Sequence, residues 1–305
     1  MYSRGTKMEI KPIQVPFPSE YGSGDATNTY LLKGNKSILI DSGVDSVENR
    51  EYIKKTLQEL GVWGPDIMLI THGHHDHFGL SAYIQAETGC KIMIPEADSL
   101  AFRDYWSFTK AWFEDIYELS VEGGFDRIEL EEVKVLLEMA AEFIPKPSSF
   151  NTFKDLDLLL DGVPVRSIPL PGHTAGSTGY AIGSSVFSGD TALEGRANVV
   201  NLTEEFASLQ QLKEFESIYV GHRKTPLTRA DIEKVETHFV ERTNQVLRMT
   251  AEGKTLRDIV MDLHGTITEK NFIRRLIPVK QTIAYLKYLE RKGRMTKRGN
   301  KWFSI

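Results

Sequence analysis

The chain has 305 residues, 41% hydrophobic and 26% charged, the composition of an ordinary soluble globular protein with room for one large and one small domain. A net charge of −5 gives no global field that would draw the whole molecule to nucleic acid or to an acidic membrane. The single cysteine, Cys90, excludes an internal disulfide and sets the expectation of a reducing cytoplasm, and no stretch approaches the ~18 consecutive apolar residues of a membrane span.

Residues 1–7 carry no function in this reading, and Met8 is a candidate internal start. Strands are expected at 8–15, 28–33 and 36–41, the last two joined by a hairpin turn at Gly34-Asn35. Ser46 predicts a helix N-cap, followed by Val47, Tyr52, Ile53 and Leu57 at helical spacing and closed by Gly61. A short buried strand at 66–70 ends where a run of histidines begins, and a helix at 78–87 and a strand at 91–94 follow. Cys90 opens the apolar run Ile92-Met93-Ile94 and reads as a small buried residue. Gly22-Ser23-Gly24 and Gly183-Ser184-Ser185 read as loops and turns.

Residues 97–145 break this rhythm with Phe102, Tyr105, Trp106, Phe108, Trp112, Phe113 and Tyr117 in one helical stretch, then a second helix at 128–143. Such an insertion either buries its own aromatic face or roofs a cleft and selects an apolar part of a substrate, and the two are compatible. Strands resume at 156–160, 163–170, 178–182 and 185–188, Thr203 is expected to cap a helix to 216, and 218–220 is a last buried strand. Two successive strand-and-helix halves, 8–150 and 151–222, predict an α/β sandwich of two sheets with outer helices.

Residues 225–305 hold 17 Lys and Arg against 9 Asp and Glu, an excess of +8. Helices are expected at 229–251, 255–263, 270–276 and 279–291, then two short strands about a Gly299-Asn300 turn. Helices followed by a basic hairpin describe a winged helix. The domain division is therefore 1–224 and 225–305.

The strongest local signal is Thr71-His72-Gly73-His74-His75-Asp76-His77-Phe78-Gly79. Imidazole and carboxylate suit zinc, iron or manganese. Histidines at i and i+2 on extended backbone point the same way, so His72 and His74 can share one ion. Asp76 and His77 follow after the chain turns and can face a second. His173 in Pro171-Gly172-His173-Thr174-Ala175-Gly176-Ser177, Asp190 in Phe187-Ser188-Gly189-Asp190-Thr191 and His222 in Tyr219-Val220-Gly221-His222 each follow a predicted strand. Each alone reads most simply as a loop residue. Their recurrence at the C-terminal ends of apolar strands is the pattern of an α/β site.

The series H-x-H-x-D-H, P-G-H-T-x-G, S-G-D and G-H, in that order over residues 8–224, resembles the metallo-β-lactamase superfamily. The resemblance implies an αββα sandwich with two divalent metal ions, zinc being expected and iron or manganese compatible. It implies that His72, His74 and His173 hold one ion, that Asp76, His77 and His222 hold the other, and that Asp190 bridges them. Asp76 and Asp190 would also act catalytically. His75 fills the variable position and is expected near the cleft as a non-ligand. Asp41, in Ile40-Asp41-Ser42-Gly43, matches the early aspartate that orients ligand imidazoles. The implied reaction is hydrolysis by a hydroxide bridging two ions, which lower the pKa of water from ~15.7 towards 7.

T-H-x-H-x-D-H, P-G-H-T-x-G-S and S-G-D-T are similar to glyoxalase II, which implies a small acyl thioester or ester as substrate. The tail is similar to the LACTB2-like branch, whose members include a ribonuclease. The aromatic insertion departs from the latter, and the lack of a helical glutathione-binding domain departs from the former. The alternatives are thus a ribonuclease acting on single-stranded RNA and a nucleic-acid-binding module with a structural metal site. In either, Lys280, Gln281, Lys287, Arg291, Lys297, Arg298 and Lys301 would meet phosphates and Trp302 or Tyr285 would stack on bases. A solvated basic face used for homodimerisation, or for walling the active site, is the plainer reading of the same residues.

Overall fold

The computed structural model describes residues 8–18, 25–193, 199–223, 225–265 and 272–305. The readings at 1–7 and 22–24, and the predicted helix start at 270, lie outside the described residues. Strands β1 (Glu9–Pro16), β2 (Ala26–Lys33), β3 (Ser37–Ile40), β4 (Ile67–Leu69), β5 (Lys91–Pro95) and β6 (Asn151–Phe153) form one sheet in sequence order. It is antiparallel from β1 to β3 and parallel from β3 to β6. The second sheet holds β7 (Asp157–Leu160), β8 (Val163–Pro169), β9 (Thr178–Ile182), β10 (Ser185–Gly189) and β11 (Ser217–Val220) in the order β11-β10-β9-β8-β7. The sequence division at 150 falls just short of the true one, because β6 completes the first sheet.

Alternation along the strands builds the layers. Tyr30, Leu32, Ile38 and Ile40 meet Tyr180, Ile182 and Phe187 between the sheets. Their neighbours Leu31 and Leu39 face outward against Ile53 and Leu57 of α1 (Val47–Glu59). Ser46 caps α1 by accepting from Asn49 N at 3.1 Å. Val47 and Tyr52, counted in the apolar stripe of α1, are exposed; Asn49 is buried in their stead and donates to Pro16 O and Val44 O. The helix expected at 78–87 is two pieces, α2 (His75–Phe78) and α3 (Ser81–Thr88).

The insertion comprises α4 (Leu100–Arg103), α5 (Tyr105–Glu122) and α6 (Arg127–Glu142). On the outer face of the second sheet, α7 (Leu202–Leu212) begins at the Asn201 cap, whose side chain accepts from Thr203 N; Thr203 lies inside the helix. Both residue types cap helices well, and the earlier one wins by burying Leu202. The C-terminal part holds α8 (Arg229–Met249), α9 (Leu256–His264), α10 (Phe272–Arg291) and a sheet of β12 (Lys254–Thr255), β14 (Lys301–Ser304) and β13 (Met295–Arg298). Two helices were expected where α10 runs unbroken through Pro278. A proline without an N–H weakens a helix, but Val279, Ile283 and Leu286 are buried and hold this one. These helices share one hydrophobic cluster with Leu209 and Leu212 of α7 and with Val186 and Ile218 of the sheet. Among the described residues no helix is long and apolar enough to cross a membrane.

Candidate metal centre

Strands β8, β10 and β11 run in one direction, so their C-terminal ends open on one edge of the second sheet. The loop after β4 meets that edge from the first sheet. Thr178 N donates to Thr71 O at 2.9 Å and Asn28 N to Gly221 O at 2.7 Å, which stitches the sheets together there. Every residue singled out by motif converges at this seam. His74 Nδ1 lies 3.0 Å from His72 Nε2 and 2.8 Å from His173 Nε2. His222 Nε2 lies 3.2 Å from Asp76 Oδ2 and 3.3 Å from His77 Nε2. Asp190 stands between the groups, with Oδ1 3.1 Å from His77 Nε2 and Oδ2 3.4 and 3.6 Å from His222 and His173 Nε2. At Gly221 a Cβ would collide with Asp190 Oδ1 and the His77 ring, so only glycine lets the His222 loop pass this close.

The remaining hydrogen bonds aim these groups. Asp41, held at φ 57°, accepts from Thr71 N, Thr71 Oγ1 and His77 Nδ1, each at 2.8 Å. Because Thr71 Oγ1 already donates to Asp41, its lone pair takes the His72 Nδ1 proton at 3.0 Å. His72 Nε2 is thereby left as a bare acceptor facing the centre. His222 Nδ1 donates to Ala26 O at 2.8 Å, which turns its Nε2 inward in the same way.

Burial holds His72, His74 and His173 well below the usual imidazole range, so all three are neutral. Burial would also lower His77 and His222. The carboxylates outweigh it: Asp190, Asp41 and Asp76 raise His77 to about 10, and Asp190 and Asp76 raise His222. Burial would raise Asp76 and Asp190, but His77 and His222 hold both ionised. Three neutral imidazoles point ring nitrogens at one place, where the one N–H of His74 Nδ1 cannot satisfy both neighbouring acceptors, and Asp190 brings a buried carboxylate beside them. This donor set fits divalent cations. His72, His74 and His173 could hold one ion, and Asp76, His77 and His222 another, while His72, His77 and Asp190 form a group between.

His75 belongs to none of these groups; its Nδ1 lies 3.1 Å from Tyr105 Oη. Tyr105, Phe108 and Trp112 recur at helical spacing along α5. Phe108 lies edge-on to His74 at 6.3 Å, and a Cβ on Gly73 would strike it. The insertion therefore both buries its own aromatics and walls the metal-facing loop.

Asp98 escaped the motif reading. It is buried in a short 3-10 turn and accepts from Gly73 N at 2.8 Å, Thr174 Oγ1 at 2.6 Å and Gly176 N at 2.8 Å. One carboxylate thus clamps the loop of His72 and His74 to the loop of His173. Glu205, fully buried on α7, accepts from Ala192 N at 3.3 Å, and burial pushes its carboxyl up to about 8. No spacing rule marks either residue, because both act from other elements.

The tail residues are placed differently from the nucleic-acid reading. Trp302 and Tyr285 are buried, so neither ring is available for stacking, and Lys280 is buried as well. Lys287 reaches Asp115 at 3.3 Å, Lys297 pairs with Glu122, and Arg291 donates to Asn201 Oδ1 at 3.1 Å. Lys287, Lys297 and Arg291 are thus turned onto the insertion and onto Asn201 at the start of α7. Arg298 and Lys301 are exposed.

Residues 22–222 match the family model of the metallo-β-lactamase superfamily. The chain belongs to that superfamily. It is a metal-dependent hydrolase by that membership. Among its relatives, a probable metallo-hydrolase of Methanocaldococcus jannaschii is 26% identical over 66% of this chain and 89% of that protein. The β-lactamase-like protein 2 homologue of Drosophila melanogaster is 28% identical over 73% of this chain and 67% of its own. In structure the chain is similar to a metallo-β-lactamase family protein of Thermus thermophilus, with TM-score 0.78 and 23% identity over 97% and 98% of the two chains. A β-lactamase domain protein of Burkholderia ambifaria gives TM-score 0.79 and 17% identity over 97% and 92%. These coverages extend the shared fold past residue 222 into the C-terminal part.

Proposed function

We propose that this superfamily member is a binuclear hydrolase of small acyl thioesters, with His72, His74 and His173 at one ion, Asp76, His77 and His222 at the other, and Asp190 reaching both. Zinc suits this donor set, as do iron and manganese. When bound, two such ions supply Lewis acidity that lowers the pKa of water towards ~7 and polarises the scissile carbonyl. The chain's own residues do the rest. Asp41 fixes His77 and, through Thr71, His72; Asp98 holds the two histidine loops in register; and Phe108 packs edge-on against His74.

The observation that carries the thioester reading is the placing of the carboxyls. Asp76 Oδ2 and Asp190 Oδ1 lie 3.2 and 3.1 Å from the imidazoles of His222 and His77, within the groups that could hold an ion, so neither stands apart as an acid for a poor leaving group. A thiolate, with a thiol pKa near ~8.5, leaves without one. We take residues 1–224 as the catalytic domain and 225–305 as a winged-helix unit that closes its site. A ribonuclease reading rests on the likeness to the LACTB2-like branch and on the +8 excess of residues 225–305, which exposed Arg298 and Lys301 would serve.

The test is hydrolysis of a glutathione thioester by zinc-loaded protein, with Asp190→Ala as control. Turnover lost in the control is the expected result. No turnover by protein shown to contain metal would overturn the thioester reading. Cleavage of single-stranded RNA that weakens steeply with salt would replace it.

A further inference from the structure

Lys280 is 4% exposed, and its Nζ has no hydrogen-bond partner among the described residues. Its Nζ sits 4.4 Å from the centre of the Trp112 ring, one turn along α5 from Phe108, which packs against His74, and burial lowers its pKa to about 7. A buried ammonium without an anion is unfavourable, and a tryptophan face offsets only part of that. Such groups cluster where a ligand brings the missing charge. Tyr105, Phe108 and Trp112 form a row along α5 from His75 past His74 to Lys280. One end of this row is the metal-facing loop, and the other is a lone cation.

We propose that Lys280 binds a carboxylate carried by the acyl group of the substrate, so that the C-terminal unit selects anionic acyl thioesters. This rests on the thioester reading above. A single ammonium, already occupied on one side by Trp112, matches a monoanion better than a phosphate dianion, which calls for several donors. A nucleic-acid backbone needs a row of accessible cations, and Lys280 is buried. The apolar face of α5 then lies against the carbon chain between carboxylate and thioester.

The test compares succinyl and butyryl thioesters of glutathione as substrates of the zinc-loaded full chain. The expected wild-type preference, as the ratio of kcat/KM values, favours the succinyl compound, and Lys280→Met lowers this ratio about tenfold or more, the scale of a charge-assisted hydrogen bond. Lys280→Arg retains part of it. A second measurement needs no turnover: succinate titrated calorimetrically into zinc-loaded protein binds about tenfold or more weakly to Lys280→Met. Lys280→Met is also expected to melt at a higher temperature than wild type, because it removes an unpaired buried charge; a merely structural lysine would give a lower one. An unchanged substrate ratio together with equal succinate affinity overturns the proposal. If the wild type hydrolyses neither thioester, the thioester reading falls by itself. The calorimetric comparison then decides, with a tenfold loss upholding carboxylate binding at Lys280 and equal affinity refuting it.

Discussion

Replacing Asp98 by alanine removes the acceptor shared by Gly73 N, Gly176 N and the Thr174 hydroxyl. Thr174 Oγ1 keeps Ser177 Oγ at 2.8 Å, so two backbone donors are left bare. An unsatisfied buried donor costs ~1–3 kcal/mol. Part of that is returned, because burial is itself unfavourable for the Asp98 carboxylate and raises its pKa. A net loss of about 2–4 kcal/mol is expected, large for a residue that faces no ion. Asp98→Asn keeps one acceptor but turns an amide nitrogen towards a donor, and about half that loss follows. The second consequence is functional: the clamped loops carry His72, His74 and His173, and partners behind metal ligands typically contribute ~10–100-fold in metal affinity. Urea unfolding of the three proteins, compared at equal slope, reads the first effect. Competition for zinc against a chelator reads the second. Should Asp98→Ala unfold within ~0.5 kcal/mol of wild type and hold zinc equally well, the clamp argument is wrong.

The pKa shifts give the remaining predictions. The metal-free protein should be most stable near pH ~6.5 and weaken on both sides: below it the depressed His72, His74 and His173 protonate only on unfolding, and above it the folded state loses the protons that carboxylates hold on His77, up to about 10, and on His222. By the same logic zinc loading at pH 8 should release about two protons, read as a dependence of the calorimetric heat on buffer ionisation enthalpy; a buffer-independent heat would refute it. Glu205, raised to about 8, stabilises the fold below the unfolded carboxyl pKa and loses that contribution as pH rises, so Glu205→Gln should gain on wild type between pH 5 and pH 8 in denaturant midpoint; an equal difference at both pH values would contradict the assignment. Burial pushes the Cys90 thiol up to about 12, so an alkylating reagent at pH 7.5 should label it only after unfolding, and rapid labelling of native protein would show the site to be open.

What was legible in the sequence was whatever lies on one strand and the loop that follows it. Two successive strand-and-helix halves, 8–150 and 151–222, gave the sandwich, and the histidines gave themselves away because a strand end fixes where its next few residues point. Errors arose where two signals of equal kind compete, as with Asn201 and Thr203 for one cap, or where packing overrides a local breaker, as at Pro278. Asp98 and Glu205 were illegible for another reason. Each supports the site across many residues of chain, from a turn and a helix with no motif of their own, and only the folded distances reveal them.

The charge asymmetry of the chain shows the same limit from the opposite side. An excess of +8 over residues 225–305 is what a polyanion-binding tail would carry, and a count cannot separate that from complementarity within the molecule. The positions can. Lys287 and Lys297 face Asp115 and Glu122 of the acidic insertion, and Arg291 meets Asn201. Exposed pairs of this kind contribute only ~0–1 kcal/mol each, so they steer the docking more than they hold it. The shared apolar cluster of Leu209, Leu212, Val279, Ile283 and Leu286 holds it. Docked in this way, α10 carries Lys280 onto the Trp112 ring of the insertion, a basic residue of the tail that is buried rather than displayed to a polyanion.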